Sequence, residues 1–199
     1  MKETDQRVIK TKQLLKDAFY ELMEADGFSK ITIENLAKKA GISRNTFYLH
    51  YTDKYDLFSQ LEDELLNEIK QILIPLPKAI MESRGYSELG SEGKQIFLDF
   101  YNSIQKNRRF FNAITSHGGN SAFWGRFSDV FRDNIQVGYP KELFLVPVRY
   151  YTAVIVGIQT GIVRQWVING MEEDPGELVD LMVMILRGLA KNLFMQEIV

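Results

Sequence analysis

The sequence predicts an all-α chain: an N-terminal helix-turn-helix head of three helices, joined by a long fourth helix to a larger helical body. Three observations predict it. Apolar residues recur at helical spacing along most of the length, and alternation of period two is absent. Near the amino end, two short helices with capping signals are separated by about three residues that include Gly41.

Each element has its own signal. In DQRVIKTKQLLKDAFYELMEADGF, Leu15, Ala18, Phe19 and Leu22 form a stripe at i, i+3, i+4 and i+7, and Gly27 ends the helix. The second helix has Thr32 as N-cap, Glu34 in its first turn, and Ile33, Leu36, Ala37 and Ala40 facing inward. Lys38 and Lys39 complement its last turn, and Gly41 lies just past it. Ser43 caps the third helix. Asp53 starts the fourth, whose Leu57, Leu61, Leu65 and Ile69 step along one face. The stretch IPLPKAIMESRGYSELGSEG, with two prolines and three glycines, reads as an irregular connection. Helices are expected beyond it near 92–106, 108–115, 120–137, 143–169 and 175–196, with Pro147 placed to begin or kink the fourth of these. The expected domains are a head at 1–52 and a body at 53–199, with 53–73 as the connecting helix.

Composition narrows the function classes. Of 199 residues, 45% are hydrophobic and 25% charged, the balance of an ordinary globular protein. Cysteine is absent, which excludes disulfides and thiolate metal sites, and the two histidines, His50 and His117, are far apart. No carboxylate pair sits in a recognisable motif, and the glycines of SHGGNSAFWG lack phosphate-loop spacing; that stretch reads as a loop near a pocket mouth. No catalytic residue, metal or cofactor is expected, and the chain does not read as an enzyme. The first residues lack an apolar run, and YYTAVIVGIQTGIV is too short to span a bilayer, so a cytoplasmic protein without membrane association is expected. The net charge of −2 splits unevenly: residues 1–54 hold ten Lys or Arg against eight Asp or Glu, the remainder fourteen against eighteen. A mildly basic module on an acidic body suits a polyanion partner.

The stretch GISRNTFYLHYTDKYDLF carries many donors for its length. The second helix of a helix-turn-helix fits the major groove of DNA, which needs short polar side chains for base edges and flanking donors for phosphates. Arg44 can address guanine O6 and N7, Asn45 adenine, and Thr46 a thymine methyl or a phosphate. Tyr48, His50 and Lys54 are placed to reach phosphates, and Ser43 caps the helix that carries the first two. A helix-turn-helix in an all-α chain is by itself more often plain packing.

The run Thr32, Ile33, Leu36, Ala37, Ala40, Gly41, Ile42, Ser43, Thr46, Phe47, Tyr48, His50, Tyr51, Lys54 and Leu57 resembles the signature of the TetR family of transcriptional regulators. The resemblance implies that Arg44, Asn45 and Thr46 face bases or the adjoining backbone, and that Thr32, Tyr48, His50 and Lys54 clamp phosphates. It also implies that Phe47 and Tyr51 anchor the recognition helix. Asn45 stands where many members carry glycine, and Thr52 and Asp53 where proline and serine are frequent. The C-terminal WVINGMEEDPGELVDLM is similar to a subgroup found in low-GC Gram-positive bacteria.

The resemblance also implies a homodimer with a ligand pocket in each body, and the sequence has features that suit both. Ala153, Gly157 and Gly161 recur every four residues, which permits a close helix crossing, either internal or across a dimer axis. The last helix is apolar around most of its circumference, so Leu178, Leu181, Met182, Ile185 and Leu189 join the expected dimer interface. Phe97, Tyr101, Phe111, His117, Phe123, Trp124, Phe127, Tyr151, Gln159 and Trp166 are the expected ligand-binding residues, the alternative being that the aromatics simply fill the core. The reading is a repressor that binds a palindromic double-stranded operator as a homodimer and is released by a small apolar or aromatic ligand. The alternative is an activator or co-activator whose body responds to a partner protein.

Overall fold

The computed structural model describes residues 3–82, 89–115, 121–138 and 145–189, and these are helical with short connections. The helices are α1 (Glu3–Asp26), α2 (Ile33–Ala40), α3 (Arg44–Tyr48), α4 (Lys54–Leu73), α5 (Leu76–Glu82), α6 (Ser91–Lys106), α7 (Arg108–Thr115), α8 (Ser121–Gly138), α9 (Val148–Ile168) and α10 (Pro175–Leu189). A 3-10 turn, Phe28–Lys30, separates α1 from α2. The chain forms two compact units, one of Met1–Leu65 with Arg109–Asn120, the other of Leu66–Arg108 with Ser121–Val199.

In the first unit α1 packs on α2, and α2 on α3. Leu15, Phe19, Leu36, Phe47 and Leu57 are fully buried there, so the stripes predicted on α1, α2 and α4 are the ones that meet. Gly41 ends α2 in the left-handed conformation at φ 68° and ψ 31°, and Gly27 after α1 also takes a positive φ, 79°, where a Cβ would be strained. The Phe58 ring stacks on Phe19 at 5.6 Å and on Phe110 at 6.2 Å, while Tyr20 meets Phe110 edge-on. Arg109 of α7 pairs with Asp17 at 2.8 Å and stands 3.8 Å from Glu21 on α1. These contacts give α7 its place in the first unit although it lies about sixty residues beyond α3 in sequence.

The second unit has α9 against α8, α10 against α6, and α5 against both α6 and α8. Its core is aromatic. Phe127 lies 6.3 Å from Phe100, 5.3 Å from Phe131 and 6.0 Å from Phe123, and Tyr101 meets Trp166 edge-on at 5.9 Å. The last carbonyl of α4, Leu73 O, accepts from Asn134 Nδ2 of α8 at 2.7 Å, which satisfies one of the orphan groups at a helix end.

Three boundaries differ from the sequence expectation. The proline-rich connection contains α5, because proline is tolerated in a first turn and Leu76, Ala79 and Ile80 bury behind it. α9 starts at Val148, not near 143, because a proline disfavours helical backbone in the residue before it; Pro147 therefore begins the helix as its N-cap. The segment expected as a pocket-mouth loop is helical from Ser121 onward, and its earlier half lies outside the described residues.

Candidate functional site

The head builds an exposed polar surface on a rigid base. Thr32 closes a reciprocal capping box: its Oγ1 accepts from Asn35 N at 3.1 Å, and its own N–H donates to Asn35 Oδ1 at 2.8 Å. The spacing Thr32-x-x-Asn35 carries that signal in the sequence. Asn35 Nδ2 also donates to Lys30 O at 3.1 Å, tying α2 to the preceding turn. Ser43 Oγ accepts from Thr46 N at 3.0 Å and bonds Thr46 Oγ1 at 2.9 Å. Both hydroxyls are thus held in place at the start of α3.

On α3 the inward side is Phe47, at 0% exposure, joined one turn later by Tyr51 at 3%. Their rings lie 5.7 Å apart. That pair fixes the rotation of the helix, so Ser43, Arg44, Asn45 and Tyr48 are exposed and Thr46 and His50 half-buried. Thr32 is exposed at the N-terminus of α2. Burial pushes the Tyr51 hydroxyl up to about 12, with the charge of Glu64 adding to the effect, so it stays a neutral anchor. Leu49, absent from the expected set, is 81% exposed on the same element. The signal that could have found it is its position four residues after Asn45.

Lys54, expected on a phosphate, has its ammonium directed elsewhere in this structure. Nζ donates to Ile31 O at 2.8 Å, Phe28 O at 3.0 Å and Ser29 O at 3.3 Å, and stands over the rings of Phe28 and Tyr55. Asp53 caps α4 as expected, its Oδ1 accepting from the N–H groups of Tyr55 and Asp56, both at 2.8 Å.

The residues expected around a ligand are scattered. Phe111 lies in the first unit, and His117 outside the described residues. Phe97, Tyr101, Phe123, Trp124, Phe127, Tyr151, Gln159 and Trp166 are all buried in the second unit. Two of them, Phe97 and Gln159, line a cavity of about 20 Å³ together with Leu76, Phe131, Asn134, Ile135, Ile155, Met182 and Leu186. That volume holds about one water. Gln159 Nε2 donates to Tyr101 OH at 3.2 Å, while its Oε1 is buried with no hydrogen-bond partner among the described residues. Burial raises the Tyr101 pKa well above the usual phenol value, so the phenol beside Gln159 stays neutral, and the residues lining the cavity carry no ionisable group.

The expected dimer residues separate into two groups. Ala153, Gly157, Gly161 and Leu181 are exposed, and Ile185 and Leu189 half-exposed. A methyl placed on Gly157 or Gly161 would meet no atom within 4 Å beyond its own helix backbone, so none of the described residues packs against them. Leu178 and Met182 are instead buried in the body's own core, because α10 turns that side toward α6.

Comparison with known proteins bears on both units. Residues 15–61 match the family model of the bacterial regulatory proteins of the tetR family, and residues 91–188 match that of a transcriptional regulator C-terminal region. An uncharacterised helix-turn-helix regulator of Bacillus subtilis, YxbF, is 35% identical over 69 residues, which is 34% of this chain and 18% of that protein's length. A TetR-family regulator of Syntrophomonas wolfei has a similar fold, with a TM-score of 0.66 at 20% identity over 92% of this chain and 96% of the other. FadR of Bacillus subtilis, solved in complex with stearoyl-CoA, matches with a TM-score of 0.58 at 18% identity, over 87% and 96% of the two chains.

Proposed function

The chain belongs to the TetR family of transcriptional regulators, with a helix-turn-helix DNA-binding domain, and from that premise we propose that it is a repressor. It binds a palindromic operator as a homodimer, and a small apolar or aromatic ligand releases it. The observation that carries this reading is the outward row Ser43, Arg44, Asn45, Thr46 and Tyr48, on a helix whose opposite side is locked by buried Phe47 and Tyr51. A rigid element with its donors turned out is what base readout needs. Arg44 and Asn45 address base edges, while Thr32, Tyr48 and His50 fix the register on phosphates.

Self-association is supported by the bare glycine ridge of α9 and the exposed Leu181 on α10. In a twofold dimer the two recognition helices meet successive major-groove faces about 34–36 Å apart. α4 contributes residues to both compact units, which makes it one of the covalent routes between them. A ligand shifts DNA affinity only in so far as it binds one spacing of the heads better than the other. The uncharged lining around Gln159 suits an apolar ligand with a single polar group. The protein acts in the cytoplasm, where its DNA is.

The cavity's size favours a second reading. About 20 Å³ is far below the volume of a drug-sized pocket, and a filled body that answers to a partner protein as an activator or co-activator needs no such pocket. One experiment addresses both. Purified protein is mixed with fragmented genomic DNA, and the retained fragments are sequenced. The proposal expects a shared two-half-site palindrome upstream of genes that derepress in a deletion strain; genes that lose expression there would select the second reading, and no enrichment would overturn both.

A further inference from the structure

No other described large apolar side chain is as exposed as Leu49, at 81%. It is the C-cap of α3, with helical backbone at φ −72° and ψ −18°, and its N–H donates to Asn45 O at 3.2 Å. One full turn therefore separates Leu49 from Asn45, and the two share a side of the helix together with Thr46. That side is fixed, because Phe47 and Tyr51 hold the opposite one against the core. Leu49 thus stands outward by construction and contributes nothing to burial.

Single exposed leucines are ordinary on a protein surface. The company of this one is not: it continues a row of exposed polar residues on the element that enters the DNA groove. In the major groove the apolar feature of a base edge is the C5-methyl group of thymine. An exposed branched side chain on the groove-facing ridge matches that feature and satisfies no hydrogen bond that water could not. We propose that Leu49 reads a thymine methyl in each half-site, a specificity-determining contact lying one turn along α3 from the adenine contact of Asn45. The inference rests on α3 docking in the major groove and on nothing in the body.

The test uses the full-length protein. Duplexes are selected from a randomised pool, and in the preferred one each thymine is replaced in turn by deoxyuridine, which removes only the methyl. Affinity is measured by fluorescence anisotropy for the wild type and for Leu49→Ala, whose helicity and unfolding temperature are checked alongside. The wild type is expected to lose roughly three- to tenfold at one thymine position per half-site, the effect of about one buried methyl. Leu49→Ala is expected to be indifferent to the same replacement. Equal losses in both proteins, or no uracil-sensitive position in the wild type, would overturn the proposal while leaving the docking of α3 intact. If the wild type enriches no duplex at all, the docking itself fails and the proposal goes with it.

Discussion

The ammonium of Lys54 stands 4.7 Å from the centroid of the Phe28 ring and donates to that residue's own carbonyl oxygen at 3.0 Å. With Ser29 O and Ile31 O also accepting, the three protons of the group are matched by three carbonyls. The first turn of α4 is thereby tied to the turn that precedes Thr32, the N-cap of α2. Lys54→Met keeps the stem and removes the charge. Charge-assisted bonds contribute about 1.5–3 kcal/mol, and partial exposure discounts this, so the variant is expected to lose about 1–2 kcal/mol in urea unfolding. Its affinity for a selected duplex should keep the wild-type dependence on salt. A slope lower by about one would place Lys54 on a phosphate instead.

Asp56 makes the neighbouring joint sensitive to acid. Its Oδ2 accepts from Thr52 N at 2.8 Å and its Oδ1 from Gln60 Nε2 at 2.9 Å, and the Thr52 bond is the main cause that holds the carboxyl below its ordinary 3.8. A carboxyl whose folded pKa is depressed stabilises the fold above its unfolded pKa, and that contribution disappears as pH falls through the folded value. Asp56→Asn is therefore expected to unfold at a lower temperature than the wild type at neutral pH. The gap should narrow below about pH 4. A gap that stays constant down to pH 2 would show that the N–H bond to Thr52 does not depend on the charge.

These two residues also mark what a linear reading can reach. Gly41, Ser43, Thr32 and Asp53 were legible because a cap acts on backbone within three residues of itself, and the stripe on α1 because it repeats every turn. Lys54 meets carbonyls 23 to 26 residues away, and no local pattern encodes which acceptors a flexible cation will find. The place of α7 in the first unit depends on Arg109 and Phe110 meeting α1 and α4, which periodicity cannot specify. Leu178 and Met182 show the same limit: an apolar helix announces that it needs cover, but not which side covers which. Leu49 is hidden for another reason, since an apolar residue inside a polar run reads as filler until its exposure is known.

Arg44 is exposed at the first position of α3. A guanidinium bidentate to guanine O6 and N7 discriminates against the wrong base by about 1–3 kcal/mol. Arg44→Ala is expected to relax preference at one position per half-site in a randomised selection while leaving preference elsewhere unchanged. Uniform weakening across all sequences would assign Arg44 to the backbone.

The glycines of α9 allow a dimer test that spares the fold. Because a methyl at Gly161 would meet no described atom within 4 Å beyond its own helix backbone, Gly161→Leu starts from open space on its own subunit. Replacing a helical glycine also removes a cost of about 0.5–1 kcal/mol. The variant is expected to keep its helicity by circular dichroism and to sediment as a monomer, because the added side chain holds a partner helix away. Unaltered dimerisation in the ultracentrifuge would move the interface off this ridge.

Gln159 is the place where stability and function can be separated. Its Nε2 has a partner in Tyr101, while Oε1 is buried beside the 20 Å³ cavity without one among the described residues. An unsatisfied buried acceptor costs about 1–3 kcal/mol, whereas the bond to Tyr101 contributes about 0.5–1.5. Removing the amide altogether deletes that cost but leaves the buried Tyr101 hydroxyl without its partner, so the two roughly offset. Gln159→Met, close in volume and flexible enough to fill the gap, is expected to unfold at the wild-type temperature or up to about 4 °C above it. A fall of several degrees would mean that the amide is worth more to the fold than its bond to Tyr101, with a single ordered water on Oε1 as the economical source. A stable variant would instead leave the fold no use for that amide, and a group that weakens a core without a structural return is best accounted for by something that enters to meet it.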